Sequence, residues 1–84
     1  MQHKLKILPE FFDAVETGVK PFEVRFNDRG YKVGDTLMLR EGENDDKGVW
    51  RATGRKTKQV VTYVYDGELC KDGYVVLGLK GAGV

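Results

Sequence analysis

Apolar and polar positions alternate from the start of the chain. In His3-Lys4-Leu5-Lys6-Ile7-Leu8, Leu5 and Ile7 fall on one side and Lys4 and Lys6 on the other, the two-residue period of a half-buried strand. The period then changes. Leu8, Phe11, Phe12 and Val15 recur at i, i+3, i+4 and i+7, which predicts a short amphipathic helix. Pro9 suits its first turn, where a missing N–H costs nothing, and Gly18 is the expected C′ residue at positive φ. Period two returns at once, with Phe22, Val24 and Phe26 alternating with Glu23, Arg25 and Asn27. This predicts a strand with an aromatic inner face and a charged outer one.

Turn chemistry at Asn27-Asp28-Arg29-Gly30 and again at Val33-Gly34-Asp35 leads into a strand over residues 36–40. Residues 41–48 are polar and glycine-bearing and predict a mobile surface loop. A strand start is expected over 50–53, a firmer strand over 58–65 and a last one over 73–80, with a frayed tail at 81–84. The expected fold is therefore mainly β with one or two short helices (α+β), closing into a small β-barrel that removes exposed sheet edges. One domain over 1–84, with its core at about 3–80, accommodates all of these elements.

Composition narrows the chemistry. The chain is 40% hydrophobic and 32% charged, with a formal net charge of +1. Electrostatic steering must then come from local clustering. Cys70 is the single cysteine, so no intrachain disulfide can form and a cytoplasmic setting is expected. No apolar run approaches the roughly 20 residues of a membrane span, so no membrane association is expected. The sequence contains no serine, which excludes a serine nucleophile. One Cys and one His cannot build a structural zinc site, and no phosphate loop or dinucleotide fingerprint is present. No metal and no cofactor are expected. His3, close to the N-terminus, is expected to be solvated.

The charged residues of the second strand remain. Lys20, Glu23 and Arg25 lie within six residues, with Glu23 and Arg25 on one side of the strand. Arg offers a planar fork for a phosphate or base edge, Lys a point charge and Glu an acceptor for an exocyclic amine. The plainer alternative is a surface ion pair contributing about 0–1 kcal/mol. Arg51, Arg55, Lys56 and Lys58 form a basic stretch that could contact phosphates, or could simply be a solvated hairpin. Tyr31, Trp50, Tyr63 and Tyr65 are candidate base-stacking platforms, most of them expected to be core.

Gly18-Val19-Lys20-Pro21-Phe22-Glu23-Val24-Arg25 matches G-x-K-x-x-E-x-R, and with Val33-Gly34-Asp35 and the closing Tyr74-Val75-Val76-Leu77-Gly78-Leu79 the chain resembles the ASCH family of the PUA-like group. Residues 3–8 together with 22–28 are similar to a small bacterial and phage-borne branch of it. The resemblance implies a PUA-like barrel with a cleft beside the helix that binds RNA or a nucleotide-like ligand. Lys20, Glu23 and Arg25 would line that cleft, flanked by Arg55, Lys56 and Lys58. Two further functions are implied by relatives. One is a small amidohydrolase acting on a modified nucleoside, with Lys20 as base; there a threonine three residues on is required, and this chain has Glu23 instead. The other is a protein-interaction module, as in larger members of the family. Oligomeric state is not legible in the sequence.

Overall fold

The strand expected over residues 3–8 forms as β1 (Gln2–Ile7), and the helix as α1 (Pro9–Glu16). The computed structural model of the chain describes residues 1–82. After α1 come β2 (Phe22–Phe26), β3 (Thr36–Asn44), β4 (Trp50–Tyr65) and β5 (Tyr74–Gly81). They make a five-stranded sheet in the order β1-β3-β4-β5-β2, curled into a half-barrel. β1 runs parallel to β3, while the remaining pairs are antiparallel. The first two strands of the chain thus become the two edges of the sheet, and α1 is the connection between them.

The core is formed by Leu5, Ile7, Phe12, Val15, Tyr31, Leu37, Leu39, Val61, Val75, Leu77 and Leu79. β2 supplies none of it. Glu23 lies opposite Leu77 and Arg25 opposite Val75, and residues directly opposite share a face of the sheet. Both charged side chains therefore point inward. Val24 and Phe26 point out, 53% and 57% exposed, which reverses the expected orientation of this strand. An edge strand can adopt it because its inner positions face an opening instead of packed apolar neighbours.

Two other expectations change. Glu41–Asn44 belong to β3, and Trp50–Tyr65 is one continuous strand, so the supposed mobile loop is a β3–β4 hairpin closed by a short turn. Asp45 holds that turn by accepting hydrogen bonds from the Lys47 and Val49 backbone N–H groups at 2.8 and 3.0 Å. His3 is buried, because its Nε2 donates to Asp35 Oδ2 at 2.9 Å and its ring packs edge-on against Tyr31. Of the expected frayed tail, Gly81 is in β5 and the Ala82 N–H donates to the Lys58 carbonyl; Gly83 and Val84 lie outside the described residues.

Gly42 sits beside a bulge in β3, where a Cβ would meet the Trp50 ring and the Arg51 carbonyl oxygen, each at 2.6 Å. Gly42→Ala should destabilise the domain by about 1–3 kcal/mol. Trp50 is the sole tryptophan, so a lower urea midpoint read by its fluorescence checks this directly.

Candidate functional site

The helix end places the first site residue. Gly18 at φ 82° turns the chain, and the Lys20 backbone N–H donates to the Ala14 carbonyl at 2.8 Å, satisfying one of the last free carbonyls of α1. Lys20 Nζ then donates to Glu23 Oε1 at 2.8 Å. It also lies 4.9 and 5.0 Å from the ring centroids of Phe11 and Phe22, within cation–π range. From β2, Arg25 Nη1 approaches Glu23 Oε2 at 3.5 Å and donates to the Lys6 carbonyl at 3.0 Å. That last bond ties the two edge strands together by a side chain, since β1 and β2 share no ladder.

Between the edges lies a cleft of about 370 Å³, lined by Lys6, Ile7, Leu8, Phe11, Lys20, Glu23, Val24 and Arg25. Its polar centre is Glu23, only 6% exposed, with a cation on either side. Its walls are largely apolar. Behind Arg25 lies the buried Tyr31, whose hydroxyl has no hydrogen-bond partner among the described residues. Burial pushes the Tyr31 phenol above its ordinary range, and the nearby Arg25 guanidinium opposes the shift.

Lys20, Glu23 and Arg25 are thus brought together. Arg55, Lys56 and Lys58 are not part of this cleft. Arg55 grips the buried Glu41 with two bonds, Nε to Oε1 at 2.9 Å and Nη2 to Oε2 at 2.7 Å. Its Nη1 reaches Asp13 of α1 at 3.1 Å, and its guanidinium covers the Phe12 ring. Lys56 and Lys58 are exposed and project from the other face of β4. Of the candidate stacking residues, Tyr31 is buried, Trp50 and Tyr65 are half-buried, and Tyr63 is exposed.

Phe11, Phe22 and Lys6 were not singled out by sequence reasoning. Phe11 lines the cleft from α1, while Phe22, on the outer face of β2, lies outside the lining and approaches Lys20 Nζ. Among the described residues no group of three or more His, Cys, Asp or Glu side chains is arranged to hold a metal ion. No helix among them is long and apolar enough to cross a membrane. A larger depression of about 510 Å³ beside the β4–β5 connection is lined by Asp66, Glu68 and Asp72 with Lys71, an acidic rim unsuited to an anionic ligand.

A protein of Escherichia phage P2, described as "Uncharacterized 12.9 kDa protein in GpA 3' region", is 40% identical over 75 residues. Those residues are 89% of this chain and 64% of that protein, so the chain spans just under two-thirds of its relative's length. Residues 2–79 match the profile of a family described as "Domain of unknown function (DUF3850)". That match runs from the first strand into the last and takes in every residue of the cleft, and the chain belongs to the DUF3850 family.

Proposed function

We propose that the chain is a binding module for RNA or a nucleotide-like ligand, engaged in the cleft between β1 and β2. The observation that carries this reading is the buried Glu23 carboxylate, held between two cations at an opening in the sheet. A buried ion pair is a poor source of stability, and this one occupies inner-face positions where apolar side chains would complete the core. Glu23 can accept from an exocyclic amine or ring N–H, and Lys20 and Arg25 can position a phosphate. Phe11 offers a ring face to a base. An ASCH-type barrel of the PUA-like group is the finer fold reading we attach to this proposal. It is supported by the succession of helix, motif and strand in a curled sheet.

Titration with nucleoside monophosphates and short RNA, followed by two-dimensional NMR, tests the proposal. Amide shifts are expected to concentrate at residues 6–11 and 20–25, and Lys20→Ala should weaken binding roughly tenfold or more, the scale of a charged hydrogen bond. Glu23→Gln should change the preference among bases. Shifts elsewhere, or affinity indifferent to both substitutions, would reject the cleft. The same protein incubated with acetylated and other modified nucleosides should return them unchanged on chromatography; turnover would favour an amidohydrolase with Lys20 as base.

A further inference from the structure

The outer face of β1, β3 and β4 carries a charge pattern that the net value conceals. In the register of the sheet, Lys4 lies beside Met38 and Met38 beside Lys58; Lys6 lies beside Arg40 and Arg40 beside Lys56. Lys80 of β5 lies beside Val60 in the next row. Cross-strand partners share a face, so Lys4, Lys6, Arg40, Lys56, Lys58 and Lys80 form one surface, and all six are exposed. The other positions in these rows are Gln2, Thr36, Met38 and Val60, with no carboxylate among them. Among the described residues none of the six cations makes an ion pair; the paired arginines and lysine are Lys20, Arg25, Arg29, Arg51 and Arg55.

Neighbouring strands stand about 4.8 Å apart and alternate residues along a strand about 6.6 Å, so the cations form a dense two-dimensional array. The half-buried Trp50 ring stands at one border, 5.0 Å from Lys6 Nζ. Lys6 itself belongs both to this surface and to the cleft lining. Binding to a membrane surface is strengthened where apolar side chains insert beside the cations. Of the exposed apolar residues of β2, Phe22 and Phe26 do not line the cleft that Lys6 borders, and Val24 alone does.

We propose that this face tracks the phosphodiester backbone of a polynucleotide strand, with Lys6 and Trp50 at the border where the strand turns toward the cleft. The inference goes beyond the cleft reading, because the surface is separate and shares only Lys6 with it. Arg40 faces like charges on both sides, an arrangement that destabilises a sheet and that a bound polyanion relieves.

Anisotropy of labelled oligouridylate across a salt series tests the proposal, with phosphatidylserine vesicles as the second probe. The logarithm of affinity should fall with the logarithm of salt at a slope of about −3 to −4, since each phosphate contact on a single strand adds about −0.7. Lys56→Ala/Lys58→Ala should reduce that slope by about 1.4. Arg40→Gln, on the neighbouring strand, should act in the same direction. Lys56→Gln should raise Tm at low salt while weakening oligonucleotide binding, opposite movements that a purely structural lysine would not produce. No binding at low salt, a slope unchanged in these variants, or vesicle binding without oligonucleotide binding would overturn the proposal. Binding that depends on Lys56 and Lys58 but not on Arg25 would uphold this face and reject the cleft; the converse would reject the face alone.

Discussion

Arg55→Ala is expected to lower Tm by roughly 10 °C, the largest stability effect of any single charged residue here. The reason is what remains behind. Glu41 is 3% exposed, and with Arg55 gone its carboxylate keeps only the Thr53 hydroxyl. The helix also loses its tie through Asp13 and the cover over Phe12. Arg55 is itself half exposed, so water recovers part of the loss. The hydrogen bonds from Arg55, then that from Thr53, hold the Glu41 carboxyl below its ordinary value of 4.5. A carboxyl depressed in the folded state contributes stability above its unfolded pKa, lost as pH falls through the folded value. Asp35 behaves likewise lower down: its hydrogen bond from His3, opposed by burial and aided by the Lys32 N–H, brings it from 3.8 to about 2. Thermal melts should therefore show stability declining from about pH 4.5 toward pH 2. Arg55→Ala should flatten the upper part of that decline. An unchanged Tm, or an unchanged acid limb, would remove the Glu41–Arg55 pair from the account.

Arg25→Ala should have the largest effect on ligand binding, a loss of roughly 10–100-fold in affinity for a nucleotide or short RNA. It removes three things at once: a fork for the ligand, the cation beside Glu23 Oε2, and the bond to the Lys6 carbonyl. Arg25→Lys keeps the charge without the planar fork and should restore only part of the affinity. Calorimetry on the wild type and both variants decides it. Full rescue by lysine would mean that Arg25 acts only as a charge, and equal affinity in all three would place the ligand elsewhere.

Much of the fold was legible because periodicity and punctuation report local structure. The helix followed from the spacing of Leu8, Phe11, Phe12 and Val15 with Gly18 at its end, and the early turns from Asn27–Gly30 and Val33–Asp35. What failed depends on partners distant in sequence. A two-residue period is the same whichever face is inward, and β2 has too few residues to settle the choice. Its side facing the core was set by pairing with Val75 and Leu77, some fifty residues away. Glu41 looked like loop polarity because its partners lie 12 and 14 residues on, and His3 looked solvated because Asp35 is 32 residues away. Lys20, Glu23 and Arg25 were found because they are close in sequence; the separation of Arg55 from Lys56 and Lys58 required the strand's two faces.

The opening between β1 and β2 bears also on self-association. A half-barrel keeps two strand edges with unpaired backbone groups, and such edges template strand addition from another chain. Here both edges border the same narrow cleft. α1 connects across it, Pro21 precedes β2 without an N–H to offer, and the Arg25 side chain occupies the Lys6 carbonyl that an incoming strand would need. Arg25, proposed to hold a ligand, therefore also caps an edge that would otherwise let the sheet grow. A cleft emptied of charge to improve packing would leave a domain prone to join its neighbours edge to edge.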